Sequence, residues 1–226
     1  MIDWNPLLIT FKLALITTIL LLLIAIPIAY WLANTRSRLK PVAETFVSMP
    51  LVLPPTVIGF YMLLALSPSN GFGNWLDEWL GLRLVFSFEG LVLGSIIYSL
   101  PFMVHPIQAG FANLSPSLKN ASYVMGKSKL TTLIRVLLPN IKPSLITGII
   151  LAFAHTIGEF GVVLMIGGNL SGKTRVASIA IYDEVESLNY GAANTYSLIL
   201  FGITFAILLM VYLINGGYFN KTEGHD

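Results

Sequence analysis

No cysteine occurs among the 226 residues. That absence excludes a disulfide framework, a thiolate metal site and a cysteine nucleophile. Histidine is scarce too: three residues are too few for a histidine-rich metal centre. Charged residues make up only 11% of the chain, against roughly 25% in ordinary soluble proteins. With a mean hydropathy of +0.79, so little charge excludes disorder, a nucleic-acid-binding domain and an ordinary soluble enzyme. The net charge of +2 is too small to name a polyanionic partner. Apolar residues fill the space instead, at 55% of the chain, and they come in long runs. This is the composition of an integral membrane protein.

A helix needs about 20 apolar residues to cross about 30 Å of hydrocarbon. Five stretches qualify, at about 7–33, 42–66, 91–111, 144–167 and 194–214. They predict an all-α bundle of about five transmembrane helices forming one domain over 1–226. The first run is expected to stay in the mature protein: Asp3 stands where a signal peptide has a basic cluster, and no small-residue cleavage site follows. Lys and Arg mark the inner side. Arg36, Arg38, Lys40, Lys119, Lys127, Lys129, Arg135, Lys142 and Lys221 fall on one side, and only Arg83, Lys173 and Arg175 on the other. The N-terminus is therefore expected outside and the C-terminus inside. Trp4, Tyr30, Trp31 and Tyr218 sit where interfacial anchors belong.

Gly167-Gly168-Asn169-Leu170-Ser171-Gly172-Lys173-Thr174 matches the Walker A pattern. That chemistry needs a strand before the glycine loop and a helix after it. Here the pattern follows a membrane span and falls on the outer side, so it reads as an ordinary turn.

The loop 112–143 is the most informative segment. Ser115-Pro116 reads as an N-cap with proline at the first helical position, opening a short helix that Gly126 stops in the left-handed conformation. Ser128 caps a second helix whose Leu130, Leu133, Ile134, Leu137 and Leu138 form one apolar stripe, and Pro139 is expected to end it. Such a basic helix pair suits either docking to a partner or lying against acidic lipid headgroups.

Asn120-Ala121-Ser122, Gly126 after three residues, and Val136-Leu137-Leu138-Pro139 after nine more resemble the coupling loop of ABC importer permeases. The family pattern is Glu-Ala-Ala, three residues, Gly, nine residues, Ile, any residue, Leu-Pro. Ala121, Gly126, Leu138 and Pro139 match in identity, while Asn120, Ser122 and Val136 replace the usual Glu, Ala and Ile. Pro50 to Gly59, Leu100 to Val104, and Ala152 to Gly161 with its Gly-Glu-Phe-Gly core resemble the molybdate-type oxyanion permeases. The short length is also closer to these than to the longer sulfate permeases. The resemblance covers about 7–215. It implies a type I ABC importer permease fold without an ATPase of its own. Asn120, Ala121, Ser122, Gly126, Leu138 and Pro139 would couple to an ATPase. The implied partners are a second copy of the chain, two ABC ATPase subunits that bind ATP-Mg, and a periplasmic oxyanion-binding protein. No cofactor is expected in this subunit.

Within the membrane, Pro54 and Pro55 fall near mid-depth of the second run. Prolines there free backbone groups that only protein or a water-lined cavity can satisfy. They mark either a substrate path or a packed kink. Glu159 is the one acid deep within a run, and an intramembrane carboxylate is a functional-site candidate. Like charges repel, so it does not suit an oxyanion ligand. It reads as an orienting or gating group between Gly158 and Gly161, which let backbones approach, or as a structural pair with His155 or Lys12. His105, before Pro106, reads as a polar boundary residue. The rival function is a proton-coupled carrier using His105, His155 and Glu159, which leaves the loop pattern unexplained. An intramembrane hydrolase lacks both Gly-x-Ser-x-Gly and His-Glu-x-x-His motifs.

Overall fold

Three unbroken helices carry the frame of the computed structural model, which describes residues 3–215. They are α1 (Asn5–Asn34), α5 (Phe88–Ala112) and α12 (Tyr190–Asn215). Each holds a run long and apolar enough to cross a membrane. No strand occurs among the described residues. Lys12 lies over the Phe88 ring and Tyr30 meets Phe111 edge-on at 5.3 Å. Helices α1 and α5 therefore run side by side in the same direction. Leu21, Ala25 and Ala29 of α1 bury their small or branched side chains with Met103, Val104 and Ile107 of α5.

The run at 42–66 is not one straight span. It is divided between α2 (Lys40–Ser48), extended by a tight turn Met49–Leu51, and α3 (Pro55–Leu66), bent by 109°. Proline disfavours the helical conformation in the residue before it. Pro54, which precedes Pro55, is accordingly extended at φ −54° and ψ 137°, and Pro55 opens the next helix.

The run at 144–167 is divided as well. Helix α9 (Lys142–Ile157) stops at Gly158, and α10 (Gly161–Gly167) begins three residues later. Before α9 come α6 (Pro116–Val124), α7 (Lys129–Thr132), a π turn at Leu133–Leu137 and α8 (Leu138–Asn140). The segment Lys129–Asn140 meets α9 at 79°. Counting each bent pair as one span gives up to five.

Two short helices between the apolar runs complete the described residues: α4 (Gly71–Leu80) and α11 (Ala177–Glu186). The Ala177 amide donates to the Thr10 hydroxyl at 2.8 Å, which fastens α11 to α1. Lys221 and the anchor Tyr218 lie outside the described residues.

Candidate functional site: a coupling loop and a broken-helix cavity

The loop folds as its caps predict. Ser115 caps α6, accepting from the Ser117 amide, and Ser128 caps α7, accepting from the Thr131 amide at 3.2 Å. Between them Gly126 takes φ +73°, while the amides of Met125, Gly126 and Lys127 close the end of α6 on the carbonyls of Ala121, Tyr123 and Ser122. Ser122 is buried, and its hydroxyl meets that of buried Thr132 at 2.9 Å. This contact clips α6 to α7, so Ser122 faces inward and holds the pair as a unit. Asn120 and Ala121 are exposed.

The apolar stripe of the second helix is split, and Pro139 does not end that helix. The π turn puts the Leu138 amide on the Leu133 carbonyl, and i→i+5 bonding breaks the i, i+4 register of a single face. Leu137 is buried and Leu133 and Leu138 pack beside it, whereas Leu130 and Ile134 turn outward. The helix runs to Asn140, one residue beyond Pro139. Val124, at 88% exposure, and Met125 stand exposed just before Gly126, and Leu130 and Ile134 stand exposed after it, so the loop carries four bare apolar side chains. Val124 and Met125 had a sequence signal, an apolar pair just before a helix-stopping glycine in a basic loop.

The two helix breaks face each other. A Cβ on Gly161 would lie 2.7 Å from Pro55 Cβ and 3.2 Å from the Thr56 nitrogen, so only glycine lets α10 sit against the start of α3. Gly158 does not share that role, because a Cβ there would meet nothing nearer than 3.8 Å. Beside the contact is a cavity of about 420 Å³ lined by Pro55, Thr56, Tyr98, His155, Gly158 and Glu159, among others. Gly161 also lines it, while Pro54 sets the break but stays outside. Tyr98 carried no distinguishing pattern in the sequence, and Thr56 only its place in the Pro50 to Gly59 stretch.

Glu159 is 4% exposed, and neither carboxylate oxygen has a hydrogen-bond partner. The Ser95 hydroxyl lies beside it without closing a bond of ordinary geometry. The alternative reading, a pairing with His155 or Lys12, does not form. His155 Nδ1 is 3.0 Å from the Ser99 hydroxyl, and its ring stacks on Phe102 at 4.0 Å. Lys12 Nζ sits 4.7 Å above the Phe88 ring. The backbone of Glu159 is pinned instead, since its carbonyl accepts from Ser178 Oγ of α11 at 2.6 Å. His105 is held separately by Ser48 at 3.1 Å, next to the Gln108–Glu44 contact at 2.7 Å. His105 and His155 are thus each engaged by a serine, and neither is hydrogen-bonded to the Glu159 carboxylate.

The Walker-like turn has several of its amides committed. Those of Lys173, Thr174 and Arg175 all donate to the Leu170 carbonyl, at 3.1, 2.9 and 3.1 Å. The buried Thr174 hydroxyl donates to the Gly167 carbonyl at 2.7 Å and accepts from the Leu170 amide. A phosphate-cradling loop needs such amides free.

Comparison with known proteins agrees with this layout. The family described as "Binding-protein-dependent transport system inner membrane component" matches residues 25–220. The molybdenum transport system permease protein ModB of Azotobacter vinelandii is 45% identical over 206 residues, covering 90% of each chain. The sulfate transport system permease protein CysT of Escherichia coli is 25% identical, over 87% of this chain and 71% of its own. A bacterial alginate ABC transporter, solved in complex with an alginate pentasaccharide-bound periplasmic protein, shares the fold. Its TM-score is 0.71 at 18% identity, over 97% of this chain and 81% of that one.

Proposed function

The chain belongs to the family of binding-protein-dependent transport system inner membrane components, and from that premise we propose that it is the permease subunit of an ATP-driven ABC importer. It passes molybdate, or the closely similar tungstate, across the bacterial inner membrane by alternating access. One observation carries the coupling role: a clipped helix pair that leaves Val124, Met125, Leu130 and Ile134 exposed on either side of Gly126 in sequence. Left bare, this is an unpartnered apolar surface in a basic loop, the kind of patch that marks an interaction site. Asn120 and Ala121 flank it, and Leu138 and Pro139 carry it into the membrane part.

The subunit itself performs no hydrolysis and binds no cofactor. Two ATPase subunits hold ATP-Mg, a second copy of the chain completes the pathway about a two-fold axis, and a periplasmic binding protein delivers the oxyanion. The N-terminus lies outside, which puts the 112–143 loop in the cytoplasm beside the ATPases. Nucleotide-driven closure moves the two loops, and the cavity where Pro55, Gly158, Glu159 and Gly161 meet opens and shuts. Its role is passage rather than capture, since no Lys or Arg lines it to hold an anion. Molybdate is preferred to sulfate because the molybdenum-permease relative is much the nearer of the two.

Reconstitution with the ATPase and the binding protein tests this reading. Molybdate-loaded and tungstate-loaded binding protein should stimulate ATP hydrolysis, and sulfate should not. Stimulation by sulfate alone would reassign the substrate, and failure to associate with any ATPase would remove the importer reading.

A further inference from the structure

A second cavity, also about 420 Å³, lies where the ends of α1 and α5 meet the start of α6. Its wall includes Tyr30, Asn34, Arg36, Phe111, Ser115 and Lys119. No Asp or Glu lines it. Lys119 Nζ sits 5.6 Å over the Tyr30 ring and donates to the Asn34 amide oxygen at 3.1 Å. Both contacts fix the ammonium without cancelling its charge. Neither Lys119 nor Arg36 forms an ion pair among the described residues. The cavity therefore combines two aromatic rings, Tyr30 and Phe111, with two cations that no carboxylate neutralises.

Its depth follows from α1. Trp4 and Trp31 are both exposed, one at each end of that helix. At 1.5 Å per residue the 27 steps between them span about 40 Å, the thickness of a bilayer with its headgroups. Exposed Trp prefers those two interfaces. Asn34 and Arg36 come within two turns after Trp31, at the level of lipid phosphates.

We infer that this cavity binds the phosphate of an anionic phospholipid, with Arg36 and Lys119 as the cationic contacts. Basic pockets between helices at an interface are suited to such headgroups. A free phosphate offers the same charge but none of the acyl anchoring that would concentrate it beside Tyr30 and Phe111. Since Ser115 and Lys119 belong to the first turns of α6, a bound headgroup would brace the loop from its membrane side.

The test uses the full transporter complex purified in detergent and incubated with phosphatidylglycerol, with the lipid retained per complex measured by mass spectrometry. Each of Arg36→Gln and Lys119→Gln should weaken retention about fivefold, and the double variant more, in line with the worth of one basic residue near a charged interface. Lys142→Gln removes an equal charge on the same side but outside the cavity, and retention should stay at the wild-type level. Phosphatidylcholine should be retained no better by wild type than by the double variant. Equal loss in Lys142→Gln, or undiminished retention in the folded double variant, would overturn the site. Complete displacement of the lipid by millimolar inorganic phosphate would overturn the lipid assignment in favour of a soluble anion.

Discussion

At position 126 the backbone decides what residue is tolerated. Gly126 has φ +73° and open space around it, so a side chain there meets no clash and only conformational strain. That strain is about 1–2 kcal/mol for an L residue and higher for a β-branched one. Gly126→Val should therefore insert normally yet, if the loop docks as proposed, lower oxyanion uptake roughly tenfold, because the strained turn would displace the loop from the ATPase. Uptake at equal membrane level, with co-purification of the ATPase, measures this. Wild-type values on both would return the loop to a lipid-facing role. Positions 158 and 161 make a sharper pair. Gly161→Ala drives a methyl into the Pro55 ring, which cannot swing aside, and should destabilise the protein by about 1–3 kcal/mol. Gly158→Ala has room and a compatible φ of −84°, and should change stability by less than about 1 kcal/mol. Thermal unfolding in detergent distinguishes them, and equal effects would mean the breaks are not packed together at Gly161.

Among the elements, those fixed by local chemistry were legible from residues alone. Ser115, Pro116 and Gly126 specify where α6 begins and ends and Ser128 where α7 begins, and the structure has each in its expected place. Features that depend on distant partners were not. The Ser122–Thr132 clip and the partners of His155 depend on which side chains packing brings together. The π turn, which rotates Leu130 and Ile134 away from Leu137, left no mark in a pattern that fits an ordinary helix. The apolar stretch at 42–66 has the composition of a span, and only the tandem prolines hinted at its 109° bend. At the Walker-like turn the pattern and the fold disagree about Lys173. Its side chain is exposed and the neighbouring amides are bonded to Leu170, so Lys173→Ala should leave transport unchanged. Thr174→Val removes a buried hydroxyl that both donates and accepts, and should cost roughly 1–3 kcal/mol. Loss of ATP hydrolysis in an assembled Lys173→Ala complex would restore a nucleotide role to the turn.

For the whole molecule, the lack of native cysteine makes sidedness directly measurable. A single cysteine at Lys127 should react with a membrane-impermeant reagent only from the cytoplasmic side, and one at Ser171 only from outside. The opposite pattern would invert the chain and separate the loop from any cytoplasmic ATPase. One junction then determines how a push on that loop travels. Between Asn140 and Lys142 there is a single residue, Ile141, buried at the 79° corner. A joint that short has no slack to absorb displacement. Helix α9 runs from it for 16 residues, about 24 Å, straight to the break before Glu159. In the proposed importer, loop and helix would act as a bell crank, turning a sideways stroke at Gly126 into an axial thrust toward the Pro55–Gly161 contact.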